Sequence, residues 1–186
     1  MIYSFCSRPK IGETENGDAV GIFGNETNRL FAVIDALGHG PEASEVSKRI
    51  LSMISDMWEK SLEHIMFTCH KKLAGSRGAA LFLARFHGAQ SGILECTGVG
   101  NIECKTISNN TTPFSFNGIV GLHARKIHVF RIHYEENETY VFFTDGIHSR
   151  IDLKAFSALD VNSAAREILT RHGKDYDDAT VLFIRT

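Results

Sequence analysis

One stretch of the sequence decides the fold: Leu30-Phe-Ala-Val-Ile34, followed directly by Asp35-Ala-Leu-Gly-His-Gly40 and then Pro41. The first part is apolar at every position, which is typical of a strand covered on both faces by other layers. Pro41 suits the first position of a helix, because the N–H that proline lacks would have no partner there. The stretch therefore predicts a buried strand that ends in an aspartate and leads through a glycine-rich turn into a helix.

The flanking segments extend this unit into a layered domain. Residues 18–24 and 29–36 are apolar runs separated by turn formers, which predicts a β-hairpin. Apolar residues recur every three or four positions over 41–60 and 61–74, which predicts two amphipathic helices. Further strands are predicted over 79–87, 92–98, 101–107, 127–133, 139–144 and 180–184, and helices over 153–159 and 162–171. Strands and helices in separate blocks favour an α+β domain over a βαβ winding.

Composition limits the class of protein. The chain has 186 residues, 43% of them apolar, with 20 basic and 22 acidic side chains. We therefore expect a single domain over residues 1–186, since a chain of this size can bury roughly 70% of its unfolded surface. The balanced charge, without a basic run, argues against nucleic acid or a membrane surface as partner. The N-terminus has no apolar stretch of signal-peptide length, and the four cysteines show no C-x-x-C spacing, so we expect a cytoplasmic protein with reduced thiols.

Several aspartates lie at the ends of the predicted strands, beside glycine and inside otherwise apolar segments. They are Asp18, Asp35, Asp145 and the pair Asp177-Asp178. A carboxylate at the end of a buried strand is costly to desolvate unless a cation or hydrogen-bond donors meet it. Each one alone is more often a turn or a cap, but together they predict an oxygen-rich site for Mg²⁺ or Mn²⁺. Two such ions would activate a water and orient a phosphate, which indicates hydrolysis of phosphate esters.

These residues resemble the acidic motifs of the metal-dependent 2C-type serine/threonine protein phosphatases. The matching segments, in the order of the family, are Gly17-Asp18, Asp35 before its Gly-x-Gly turn, Thr144-Asp145-Gly146 and Asp177-Asp178-Ala-Thr180. Asp35-Ala-Leu-Gly-His-Gly40, Arg77-Gly-Ala79 and Gly98-Val-Gly-Asn101 are similar to the SpoIIE-like bacterial branch. The resemblance implies a four-layer α-β-β-α sandwich of two antiparallel sheets. Helices 41–74 would lie outside one sheet and helices 153–171 outside the other, with the metal site at one edge between the sheets.

The resemblance also implies a role for each acid. Asp35 would bridge two ions, and Ala36, where the family usually has glycine, would contribute its backbone carbonyl. Asp145 and Asp177 would complete the shell of the second ion, and Asp18 would hold a metal-bound water. Asp177 is preferred over Asp178 because the family acid stands three residues before the threonine.

Several basic residues have more than one possible role. The eukaryotic branch grips the phosphate with an N-terminal arginine, and Arg8 and Lys10 are the candidates here, although their spacing to Asp18 differs from the family pattern. Arg77 is a third candidate, with burial and satisfaction of backbone carbonyls as the alternative use. His39 would either donate a proton to the leaving oxygen or cap and pack the helix entrance.

The implied reaction is hydrolysis of phosphoserine or phosphothreonine by in-line attack of a metal-activated hydroxide. The branch implies a phosphorylated STAS-domain protein of a stress-signalling complex, the stressosome, as substrate and partner. Two alternatives stay open: a two-metal hydrolase of small phosphate esters, and a catalytically silent phosphatase fold that serves as a binding module. The sequence leaves the oligomeric state unassigned.

Overall fold

The computed structural model describes residues 1–88, 91–107, 111–124 and 127–186. The strands in these ranges are β1 (Ile2–Arg8), β2 (Asp18–Gly24), β3 (Asn28–Ala36), β4 (Ala79–His87), β5 (Gly92–Val99), β6 (Glu103–Thr106), β7 (Phe130–Tyr134), β8 (Thr139–Phe143) and β9 (Ala179–Arg185). The helices are α1 (Pro41–Met57), α2 (Leu62–Lys72) and α3 (Val161–His172), and a short 3₁₀ helix covers Leu153–Phe156.

The strands form two antiparallel sheets that pack face to face. One has the strand order β1-β9-β8-β6 and the other β2-β3-β4-β5-β7. α1 and α2 pack on the outer face of the five-stranded sheet, and α3 packs on the outer face of the four-stranded sheet. The α-β-β-α sandwich predicted from the sequence is therefore confirmed, with its helices on the expected sides.

The interior strand β3 contributes side chains to two separate cores. Leu30 and Ile34 face the helices, whereas Phe31 and Val33 face the other sheet. Successive side chains of a strand point to opposite faces, so this alternation explains why the segment is apolar at every position. By the same alternation Asp35, at the end of the strand, faces the space between the sheets.

Several element boundaries differ from the sequence prediction. The predicted helix over 153–159 is a single 3₁₀ turn, and the predicted strand over 127–133 begins only at Phe130. Ile127 and Val129 pack instead against the core under α1 and α2, so their apolar character reflects burial outside the sheet. The first strand, β1, is absent from the prediction. It is the edge strand of its sheet and, among the described strands, pairs with β9 alone, so Ile2 and Phe5 are exposed and no buried face marks it in the sequence.

The cysteines have no disulfide partners, and three of the four are buried. Burial raises the pKa of the Cys69 and Cys96 thiols to about 12, which suppresses the reactive thiolate. Within the described ranges, no helix has the length and apolar character needed to cross a membrane.

Candidate active site at the edge between the sheets

At one edge of the space between the sheets, the inward-facing side chains change from apolar to polar. Phe142 of β8 and Leu182 of β9 belong to the core between the sheets. The next inward positions toward this edge are Thr144 and Thr180, both fully buried. The edge is therefore a polar margin of an otherwise aromatic and aliphatic core.

Asp18 and Asp35 come to this edge from the opposite sheet. They are direct register partners, at the first position of β2 and near the end of β3. Partners of this kind have Cβ atoms roughly 4.5–5.5 Å apart, and two like charges in such a pair repel each other. Burial, with the nearby charges of Asp18 and Asp145, raises the pKa of Asp35 to about 9. The two carboxylates therefore resist being ionised together unless a cation compensates them.

The carboxylate of Asp18 is held by side chains of the four-stranded sheet. The Thr144 hydroxyl donates to Asp18 Oδ2 at 2.7 Å, and the Thr180 N–H donates to the Thr144 hydroxyl at 3.0 Å. Burial raises the pKa of Asp18 to about 7, and the threonine hydrogen bonds oppose that rise. This network joins the two sheets and fixes the orientation of Asp18.

Asp145, in the turn after β8, is oriented by two residues for which no role was predicted from the sequence. The amide nitrogen of Asn101 donates to Asp145 Oδ2 at 2.7 Å, and the Lys174 ammonium donates to the Asp145 carbonyl. Burial and the charge of Asp177 raise the pKa of Asp145, while Lys174 and Asn101 lower it. Asn101 belongs to the Gly98–Asn101 motif, so the sequence already pointed to this residue. Lys174 lies in no motif, and only the fold brings it to the site.

The adjacent acids Asp177 and Asp178 have different surroundings. Both oxygens of Asp178 accept backbone N–H groups, from Lys10 at 2.8 Å and from Gly17 at 2.8 Å. Asp178 is 4% exposed and ties the loop between β1 and β2 to the start of β9. Asp177 accepts the N–H of Asp178 at 3.0 Å, and its charge raises the pKa of Asp35 and Asp145. This geometry favours Asp177 as the acid that is available to a ligand.

The backbone around the acids tolerates Ala36 but requires Gly146. Ala36 ends β3 with a negative φ, and its methyl group is buried in the core under the helices, on the opposite face from Asp35. A Cβ at Gly146 would lie 1.8 Å from the Asp178 carbonyl oxygen. The glycine therefore allows the turn that carries Asp145 to approach the start of β9.

Two of the candidate phosphate-binding cations are engaged by acidic groups. The Arg8 guanidinium donates to the Lys174 carbonyl at 2.9 Å and to Asp175 at 3.1 Å. Arg77 donates to the Leu37 carbonyl at 3.4 Å and pairs with Glu42. Contact with a carbonyl is the alternative that the sequence analysis named for Arg77, but the side chain is exposed rather than buried.

His39 bridges an acid and a cation in front of α1. Its Nδ1 lies 2.7 Å from Glu13 Oε1, and its Nε2 lies 2.9 Å from Lys10 Nζ. An ammonium group only donates hydrogen bonds, so Nε2 is the acceptor and the proton on Nδ1 is donated to Glu13. In this arrangement His39 has no Nε2 proton to give to a leaving group, and it positions Lys10 instead.

The donor set fits a hard divalent cation. Among the described residues, no three His, Cys, Asp or Glu side chains are grouped closely enough to hold a metal ion by themselves. Mg²⁺ commonly binds through one or two carboxylates and keeps several waters, so a complete cage is not required. The donors here are all carboxylate or carbonyl oxygens, and their mutual repulsion is what a cation would relieve. Asp35, Asp145, Asp177 and the Ala36 carbonyl are the groups that would hold it.

The fold is that of the 2C-type metal-dependent protein phosphatases. It matches the catalytic domain of the serine/threonine phosphatase PstP in complex with two manganese ions, with a TM-score of 0.73 and 15% identity over 98% of this chain and 96% of that chain. Such identity shows the fold alone.

One protein to which the chain is similar is the phosphoserine phosphatase RsbX of Bacillus subtilis (strain 168). The two are 25% identical over 172 residues, 89% of this chain and 86% of RsbX. A crystal structure of RsbX in complex with magnesium matches with a TM-score of 0.86 and 20% identity, over 97% of this chain and 92% of that chain. The resemblance predicted from the acidic motifs is thus confirmed.

A third match comes from a signalling assembly. A solved chain from the bacterial stressosome, described as a modular system adapted to control secondary messenger signaling, has a TM-score of 0.91 and 28% identity, over 98% of both chains. No model of a known protein family matches the sequence.

Proposed function

We propose that the chain is a metal-dependent protein-serine/threonine phosphatase whose substrate is a phosphorylated STAS-domain protein of a cytoplasmic stress-signalling pathway. The observation that supports this most is the meeting of carboxylates from both sheets at one edge, where burial and the charges of Asp18 and Asp145 raise the pKa of Asp35. The similarity to RsbX supports the reaction, and the similarity to a stressosome chain supports the signalling context.

Each acid has a proposed part in binding divalent ions. Asp35, Asp145 and Asp177, with the Ala36 carbonyl, would hold two Mn²⁺ or Mg²⁺ ions, and Asp18 would accept a hydrogen bond from a water beside them. Bound ions would lower the pKa of that water toward neutrality and compensate the roughly −1.5 to −2 charge of the phosphate. Asn101 keeps the Asp145 carboxylate in a fixed orientation.

Lys10 is the proposed phosphate-binding cation. Arg8 and Arg77 each have a carboxylate partner, whereas the Lys10 ammonium contacts the neutral His39 ring. Its backbone N–H is anchored on Asp178, the neighbour of Asp177. Lys10 is therefore anchored through both its backbone N–H and its ammonium group, and the His39 ring does not compensate its charge. Such a cation is suited to bind a phosphate oxygen.

The experiment is phosphate release with Mn²⁺ from a phosphorylated STAS-domain protein and from p-nitrophenyl phosphate. Asp35→Asn should lower the rate by at least about 10²-fold. The matched control, Asp56→Asn on the exposed face of α1, should leave the rate unchanged. Release from neither substrate would favour the silent binding module, and a preference for the small ester would favour the small-ester hydrolase.

A further inference from the structure

A cavity opens directly beside the carboxylate cluster. It has a volume of about 470 Å³ and lies between β6 and the segment 112–115, with Asn101, Ile102, Cys104, Pro113 and Phe114 among its lining residues. Ligand pockets in proteins span roughly 300–1,000 Å³. Asn101 also donates to Asp145, so the cavity begins at the proposed catalytic site.

The outer wall of this cavity is an exposed but well-supported aromatic side chain. Phe114 is 49% exposed, and its ring packs against Phe130 at 4.7 Å and Phe116 at 5.2 Å between centroids. The large apolar surface that Phe114 presents is therefore already ordered, so that binding a partner costs little side-chain entropy. Phenylalanine, like the other aromatic residues, contributes a large apolar area to protein interfaces.

The backbone that carries Phe114 is anchored to the same edge. The Ser115 hydroxyl donates to the Ile102 carbonyl at 2.7 Å, and the Phe116 N–H donates to the Gly98 carbonyl at 2.9 Å. In return, the Gly100 N–H donates to the Phe116 carbonyl at 2.9 Å. The wall of the cavity is thus held at a fixed distance from Asn101.

A second cavity continues along β6, away from the carboxylates. It has a volume of about 300 Å³, and it is lined by Lys105, Asp152 and Lys154 among others. Both cavities share Thr112, so they follow one another along the edge strand of the four-stranded sheet. An open groove along an edge strand suits an extended peptide segment.

We propose that this groove, defined by Asn101, Phe114, Thr112 and Lys105, receives the segment of the phosphoprotein that flanks the phosphorylated residue. A large apolar side chain of that segment would fill the nearer cavity against Phe114, and the segment would continue past Lys105 and Lys154. The inference rests on the proposed function, because the phosphorylated residue itself must occupy the carboxylate site next to Asn101.

The test uses phosphoserine peptides that differ at one position. Each position within about four residues of the phosphoserine carries either leucine or serine, and kcat/KM is measured with Mn²⁺ for each pair. Burial of one leucine side chain in the groove should raise kcat/KM by about tenfold over the serine peptide. We expect the unmodified chain to prefer leucine by about that factor at one position at least.

The Phe114 variants test the wall of the groove. In Phe114→Ala the ratio of kcat/KM for the leucine peptide to kcat/KM for the serine peptide should fall to about one. Phe114→Leu should retain most of the preference for leucine. The matched control is Phe67→Ala on α2, since Phe67 is also an exposed phenylalanine, 58% exposed. That variant should keep the full ratio.

Hydrolysis of p-nitrophenyl phosphate, which carries no peptide segment next to its phosphate, separates this inference from the proposed function. If the unmodified chain hydrolyses neither the small ester nor any peptide, both proposals fail. If it hydrolyses the small ester but shows no leucine preference, or if Phe114→Ala keeps that preference, the groove proposal is wrong and the phosphatase proposal stands.

Discussion

Replacing Asp177 and Asp178 by asparagine, one at a time, should separate a ligand-binding acid from a structural one. Asp178 is 4% exposed, and its two oxygens accept the N–H groups of Lys10 and Gly17 at 2.8 Å each. Hydrogen bonds to a charged acceptor contribute about 1.5–3 kcal/mol each. Asparagine keeps one acceptor oxygen and turns an N–H donor toward the other backbone N–H, so one of the two bonds is lost.

Asp178→Asn should therefore lower the free energy of unfolding by about 2–3 kcal/mol, or the melting temperature by about 5–10 °C for a domain of this size. Relief of the repulsion between Asp178 and Asp35 will offset a part of that loss. Activity should persist at temperatures where the variant is folded, because the Asp177 carboxylate is unchanged.

Asp177→Asn should show the opposite pattern. Its removal relieves repulsion on Asp35 and Asp145, so the free energy of unfolding without metal should change by less than about 0.5 kcal/mol or should rise. Activity with Mn²⁺ should fall by about 10²-fold or more.

The assay is urea denaturation in EDTA for stability, combined with phosphate release in Mn²⁺ for activity, on the three proteins in parallel. The reasoning is refuted if Asp178→Asn abolishes activity in a fully stable protein while Asp177→Asn remains active. That result would identify Asp178 as the metal-binding acid and Asp177 as the structural one.

Three further predictions concern the same edge of the sandwich. The raised pKa values of Asp18 and Asp35, about 7 and about 9 against an ordinary 3.8, mean that the folded metal-free chain binds protons more tightly than the unfolded chain. Its free energy of unfolding in EDTA should therefore fall as pH rises from about 5 to about 8, by about 1.4 to 2.8 kcal/mol per pH unit because the folded chain holds one to two more protons, and Mn²⁺ should remove this slope; a flat or rising profile in EDTA would contradict it. Lys10→Met should raise KM for the phosphoprotein by about tenfold and weaken inhibition by inorganic phosphate, with little change in stability because the backbone bond to Asp178 remains; unchanged phosphate inhibition would exclude Lys10 as the binding cation. Gly146→Ala should destabilise the fold by about 1–3 kcal/mol in urea denaturation, because the new Cβ meets the Asp178 carbonyl at 1.8 Å; a neutral effect would show that the Asp145 turn can shift.

The predicted elements succeeded where a local pattern reflects burial. The run Leu30–Ile34 is apolar because its two faces contribute to two cores, and the periodicity after Pro41 reflects one buried face of α1. The prediction failed where pairing partners are distant. β1 is ordered by β9 at the other end of the chain, and its exposed edge leaves no regular apolar alternation.

The acids of the candidate site were identifiable from sequence because several aspartates stand together at the ends of predicted apolar strands. The residues that orient them were not all identifiable. Lys174 and Glu13 lie in polar stretches that resemble any exposed turn. They act here only because the loops that carry them meet Asp145 and His39.

The sequence by itself determined the α+β class, most of the strands and helices and the positions of the acids at the strand ends, because periodicity and strand ends are local properties of the chain; the four-layer arrangement followed from the family resemblance. Only the tertiary structure decided which oxygens remain available. Asp178 is committed to backbone N–H groups of Lys10 and Gly17, more than 160 residues away along the chain, whereas Asp177 faces the other carboxylates. The physical reason is that a hydrogen bond depends on distance in space, which spacing along the sequence does not specify.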